Sequence, residues 1–152
     1  MPSKRTAMLF ETSYYSKATK EEINNLVGKP FGLLKRIKLR GIGSQRMLII
    51  DASAELESLI NQQNTPPYTN IELRPGGVML WFRVKLDSYV LALPYDQLSV
   101  FNTSEGLSFH AGSWRIKMKV AHQLRPDRAF VFKLLKMKSD YLGASEGPNR
   151  SY

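Results

Sequence analysis

Two stretches of the sequence concentrate positive charge in a way that could hold phosphate. Between Glu22 and Asp51 there is no acidic residue, while Lys29, Lys35, Arg36, Lys38, Arg40 and Arg46 supply six cations. From Arg115 to Lys138 eight cations are opposed only by Asp127. If each stretch holds a β-strand, the two-residue side-chain period puts Arg36, Lys38 and Arg40 on one face of the first, and Arg115, Lys117 and Lys119 on one face of the second. Two such strands side by side make a positive surface. It would attract phosphate by Coulomb force and counterion release, without reading sequence, and would weaken as salt rises. The competing reading is plainer: Lys and Arg are ordinary outward residues of half-exposed strands, where their stems cover apolar surface and their charges guard sheet edges.

Little else in the chain suggests chemistry. With no cysteine there is no disulfide, thiolate nucleophile or zinc ribbon. His110 and His122 fall near strand ends without a matched carboxylate, and no H-E-x-x-H, G-x-S-x-G, Walker or dinucleotide glycine pattern occurs. Gly41-Ile42-Gly43-Ser44 reads as a turn, since no helix N-terminus follows it to receive a phosphate. Asp51, Glu55 and Glu57 suit the start of a helix better than a metal site, and Asp87 and Asp96 are turn residues. No catalytic, cofactor-binding or metal-ligating residue is therefore expected, and no cofactor. Among the aromatics, Trp114 alternates with Ile116 and Met118 and should point inward. Trp81 shares a face with Arg83 and Lys85, so it is the better candidate for exposure, with packing against an N-terminal helix as its rival reading. The Tyr14-Tyr15 pair could mark a partner surface or fold back as a clasp.

These residues must be placed by the elements that carry them. The chain has 152 residues, a net charge of +9 and an apolar fraction of 43%, which suits one domain with a real core. Thr19-Lys20-Glu21-Glu22 predicts a helix capped at Thr19, with Ile23, Leu26 and Val27 on one face and Gly28 and Pro30 ending it. Leu34 to Arg40 alternates like a strand. Met47 to Ile50 is a short apolar run, and Ser53 precedes a helix over Ala54 to Ile60. The stretch Asn61 to Pro67 reads as a linker. Strands then follow at Ile71–Arg74, Val78–Leu86, Tyr89–Leu93, Leu98–Phe101, Leu107–His110 and Trp114–Val120, joined by short turns such as Pro75-Gly76-Gly77. A terminal helix starts near Pro126 or Asp127 and carries Phe130, Val131, Leu134, Leu135, Met137, Tyr141 and Leu142. The expected division is a helix and strand extension over 1–62, a meander with its capping helix over 63–142, and a disordered tail over 143–152. The basic start Met1 to Arg5 lacks the long apolar core of a signal peptide, and no run approaches the ~18 apolar residues of a membrane span. A cytoplasmic protein is the expectation.

The antiparallel strands closed by one helix, with Leu91-Ala92-Leu93-Pro94-Tyr95-Asp96-Gln97-Leu98-Ser99-Val100 at their middle, resemble the bacterial pleckstrin-homology-like domains. The stretch 71–138 is also similar to a group of short uncharacterised bacterial proteins. Sequential strands joined by hairpins and covered by the C-terminal helix predict an α+β fold with an antiparallel meander; the resemblance implies that the meander forms a partly open barrel or curled sheet, used as an adaptor surface without catalytic residues. Lipid-binding relatives place basic residues around the first hairpin. Arg74, the Pro75-Gly76-Gly77 turn and Arg83-Val84-Lys85 resemble that arrangement, although their spacing departs from the pattern.

The leading functional expectation is a non-enzymatic binding or scaffold module. Its partner would be another protein or a second copy, met at an edge strand or the open barrel end, with Trp81, Tyr14 and Tyr15 as candidate contacts. The alternative is an anion-binding module that sets Arg36, Lys38, Arg40, Arg83, Lys85, Arg115, Lys117 and Lys119 against nucleic acid or acidic lipid. No small-molecule substrate is expected.

Overall fold

The computed structural model describes residues 6–120 and 128–145. In chain order the elements are β1 (Met8–Glu11), α1 (Lys17–Val27), α2 (Leu33–Lys38), β2 (Met47–Ala52), α3 (Ala54–Ile60), β3 (Tyr68–Arg74), β4 (Gly77–Val84), β5 (Asp87–Pro94), β6 (Leu98–Thr103), β7 (Gly106–Ala111), β8 (Trp114–Val120) and α4 (Arg128–Ser145). All eight strands belong to one antiparallel sheet, ordered β1-β5-β4-β3-β2-β8-β7-β6. The class is α+β, as the sequence predicts.

The strands expected from 71 onward form two three-stranded meanders, β3-β4-β5 and β6-β7-β8, rather than one run of six. Between them lies β2, from the N-terminal third. Its Met47, Ile49 and Ala52 are buried, and it pairs with Tyr68 and Thr69 on one side and with Ile116–Val120 on the other. The segment before the linker is thus part of the same sheet. β1 likewise pairs with β5 from Met8–Ala92 to Glu11–Tyr89.

The sheet curls without closing. β5 and β6 stand second and eighth in strand order, yet only residues 95–97 join them. Across the same gap Trp114 Nε1 donates to the carbonyl of Ala7 at 3.2 Å, and the Ala7 amide donates to Gln97 Oε1 at 3.1 Å. The inward face carries the main core, which α3 covers with Leu56 and Ile60 and α4 with Phe130 and Leu134. A smaller cluster sits on the opposite face, where Ile23, Leu26 and Val27 of α1 pack on Phe10, Met79, Val90 and Ala92. β4 and β5 are therefore buried on both faces, which explains their unbroken apolar runs.

Where α1 ends, it is locked to the β3–β4 hairpin. Gly28 takes φ +87° and its carbonyl accepts from Arg74 Nη1 at 2.9 Å, while the Gly76 amide donates to Val27 O at 2.8 Å. Arg74 is 3% exposed; its guanidinium also donates to Asn24 Oδ1 at 3.1 Å and pairs with Glu72 at 2.5 Å. Behind it the Tyr95 hydroxyl donates to Arg74 O at 3.0 Å, and burial pushes this phenol far above its ordinary value.

Several local expectations are corrected. Residues 33–38 form a helix instead of a strand: Leu, Lys and Arg are good helix formers, and no partner strand lies beside them to reward alternation. The N-cap of α1 is Ser16, whose Oγ accepts from the Thr19 amide at 3.2 Å, so the helix starts before Thr19. Lys85, at φ 56°, and Leu86 turn the chain, so β4 stops at Val84. α4 continues to Ser145, past the expected start of the tail. Residues 146–152, the Pro126/Asp127 cap, His122 and the basic N-terminal start lie outside the described residues.

A Cβ at Gly77 would sit inside contact distance of Leu93 O and Val27 Cγ1. Gly77→Ala should therefore lower stability by about 1–3 kcal/mol, the usual cost of overpacking, read as a lower urea midpoint. Gly143→Ala on α4, where a Cβ meets nothing within 4 Å, should be neutral or stabilising by up to about 1 kcal/mol.

Candidate anion-binding cleft

Trp81 and Arg83 alternate with the core residues Leu80, Phe82 and Val84, so they face away from the main core. On β3, Tyr68 and Asn70 share that outer face, because Thr69 and Ile71 point inward, and the register sets Asn70 opposite Trp81. Arg46, one residue before β2, reaches the same place: its guanidinium stacks on the Tyr68 ring at 3.8 Å. Together with Lys85 these residues line an open cleft of about 960 Å³, and among the described residues no carboxylate lines it.

The cleft is held in shape by its neighbours. Gln63, in the former linker, donates from Nε2 to Arg83 O at 3.2 Å and accepts from the Lys85 amide at 2.8 Å. This pair of bonds fixes the turn in which Lys85 takes its positive φ, a conformation uncommon outside glycine. Thr69 Oγ1 donates to Trp81 O at 2.9 Å. From the α1 side Tyr15 meets Trp81 edge-on, with ring centroids 6.0 Å apart, and the Lys20 ammonium lies 5.0 Å from the Tyr15 ring. A planar, delocalised Arg46 stacked on Tyr68, two further cations and a half-buried indole suit a ligand that combines phosphate with a flat ring.

The candidate residues divide into three groups. Arg83, Lys85 and Trp81 come together in the cleft, with Tyr15 at its aromatic wall. Tyr14, 92% exposed, stands apart from that wall. Arg36 and Lys38 lie on α2 and Arg40 just beyond it, at φ 57°, so they never form a strand face beside β8. Arg115, Lys117 and Lys119 do share the outward face of β8, as the alternation predicts. Two of them are neutralised there: Lys117 pairs with Glu105 at 2.5 Å and Arg115 with Asp51 at 3.6 Å. His110 is exposed and rests edge-on against Phe101. Arg74 and the glycine turn are buried against α1, so they offer no basic hairpin loop. Among the described residues, no three His, Asp or Glu side chains gather where they could hold a metal ion.

The sequence reading missed Arg46, Tyr68 and Asn70 as site residues. Arg46 stood out only as one of the six cations between Glu22 and Asp51; its approach to Tyr68 depends on the β2–β3 pairing, which joins residues about 20 positions apart. Comparison with protein-family models, curated proteins and solved structures finds no match.

The Glu105 carboxyl lies below its ordinary value, first because Lys117 donates a hydrogen bond to it and second because of the Lys117 charge. With the folded value depressed, this pairing is intact above the ordinary carboxylate range and is lost as pH falls through the folded value. A carboxyl-detected NMR titration should find the Glu105 midpoint below that of a free glutamate, and Lys117→Met should return it to the ordinary range. An unshifted midpoint in the parent protein would leave Lys117 free for other anions.

Proposed function

We propose that this protein is a non-enzymatic binding module that holds single-stranded nucleic acid, or a nucleotide with the same chemistry, in the cleft on the outer face of β3 and β4. One observation carries the reading: Arg46, Arg83 and Lys85 converge beside Tyr68 and Trp81 with no carboxylate among the described lining residues. Phosphates would meet the three cations, while bases stack on the aromatic side chains, which accept any base because every base has a π-face. The volume lies at the upper end of what small ligands fill, and the cleft is open, which suits a short extended strand. The pleckstrin-homology-like reading of the sheet belongs here too. Its support is the curl, the tight β5–β6 corner and the terminal helix over the inward face.

A protein partner is the second reading. It is favoured by β6, which among the described strands pairs with β7 alone, and whose Phe101 is 49% exposed. An extended segment adding to that edge would gain main-chain hydrogen bonds and cover the ring.

The cleft is tested by anisotropy with a labelled oligothymidylate, checked against the fluorescence of Trp81. Three phosphate contacts on a single strand predict that affinity falls roughly 20-fold between 50 and 200 mM salt. Arg83→Glu/Lys85→Glu should abolish binding, and Trp81→Ala should weaken it by about 1–3 kcal/mol per stacked base. Arg115→Glu/Lys117→Glu should change it far less. Equal loss in the two charge-reversed pairs would mean a diffuse field rather than a site. No binding at 50 mM salt would end the proposal.

A further inference from the structure

Among the described elements α2 is the least partnered. None of its residues is buried, and Leu33, Leu34 and Ile37 are 75%, 78% and 65% exposed. At about 100° per residue these three occupy one arc of roughly 100°, with Arg36 flanking one side and Lys38 the other. An amphipathic helix normally turns its apolar arc to the core; here the arc faces solvent. Local hydrogen bonds hold the helix start and the turn that follows it. Arg36 Nε donates to Phe31 O at 3.0 Å, and the turn beyond the helix is held by Lys133 Nζ, which donates to Gly41 O at 2.8 Å. That contact joins the turn after α2 to α4, whose outward side carries Phe132 and Leu135, 71% and 45% exposed. Lys29, Lys35, Arg40, Arg128 and Lys136 add to the positive charge around these two helices; Asp140 is the one acid on α4, and between Glu22 and Asp51 there is none.

We infer that α2 and the outward side of α4 form a docking surface for an anionic lipid bilayer. Apolar side chains enter the boundary between headgroups and acyl chains, while lysines and arginines on both flanks meet lipid phosphates, the arrangement of a helix that lies in the membrane plane. The charge argues against the other occupants. A second copy would set the same cations against each other, and an apolar protein groove would bury them unpaired. This surface shares no residue with the cleft, so it stands or falls separately. No helix among the described residues is long and apolar enough to cross a membrane, and the surface requires only lying on one.

The test is co-sedimentation of the full chain with vesicles of phosphatidylcholine alone and of phosphatidylcholine with 30% phosphatidylserine. The protein should partition to the anionic vesicles only, and less so at higher salt. Leu33→Ser/Leu34→Ser/Ile37→Ser, which alters only exposed positions and whose fold is checked by circular dichroism, should reduce partitioning about tenfold. Arg83→Glu/Lys85→Glu should retain it. The inference is overturned if the parent protein ignores anionic vesicles, if the triple serine variant partitions as well as the parent, or if the cleft variant alone loses binding. It is equally overturned if size-exclusion shows a dimer that the serine variant dissolves, which would assign the patch to a second copy.

Discussion

The arrangement of this protein depends on one buried cation. Arg74 closes the carboxyl end of α1 by donating to Gly28 O and Asn24, while Glu72 balances its charge from the same strand. A helix ends with unsatisfied carbonyls and a partial negative charge, and a guanidinium can answer both from a neighbouring strand. Leaving such a cation buried without its partners would cost about 3–5 kcal/mol, so the helix, the hairpin and Glu72 must arrive together. The two glycines of the hairpin make this approach sterically feasible. Because α1 is pinned there, Tyr15 at its start is carried to the Trp81 wall of the cleft.

The same constraint separates the charged surfaces. α1 covers the outer face of the sheet at β1, β5 and part of β4, leaving β3 and the far end of β4 open; that opening is where Arg46, Arg83 and Lys85 meet. The β8 cations lie further across the sheet and spend part of their charge on Glu105 and Asp51. The cations of α2 are elsewhere again, beside α4. The net charge of +9 is thus divided among regions with different neighbours, and the neighbours decide what each can bind. Exposed pairs such as Arg115–Asp51 are worth at most about 1 kcal/mol, yet they suffice to blunt the local attraction for phosphate.

The strands from 68 to 120 were legible because period-two alternation and glycine-bearing turns are local signals. So was the grouping of Trp81, Arg83 and Lys85, since residues two apart on a strand share a face. The insertion of β2 between the meanders was not legible, because pairing Met47 with both Thr69 and Val120 is a fact about distant segments. Tyr68 escaped notice for the same reason, and Arg46, visible only as one of six cations in an acid-free stretch, could not be placed beside it. The stretch 33–40 was misread because cations alternating with apolar residues from Arg36 to Arg40 suit a strand, while α2 is a short helix of 6 residues; the position of Leu33, Leu34 and Ile37 at helical spacing was the better guide. The spacing of Arg74 from its hairpin looked like a surface loop, and only the burial of its guanidinium shows it to be structural.

The place of β2 also bears on how the chain reaches its native state. Each meander can zip up from neighbouring residues, but neither can complete its inner edge until β2 is captured between them. That capture closes loops of about 20 residues on one side and about 70 on the other, at an entropic cost that rises with the logarithm of loop length. Chains dominated by such distant pairings fold in milliseconds to seconds rather than microseconds. During synthesis, the second partner of β2 is among the last strands to emerge, so its apolar edge waits unpaired while most of the sheet is made. Holding that edge in the nascent chain is the step at which misassembly competes with folding.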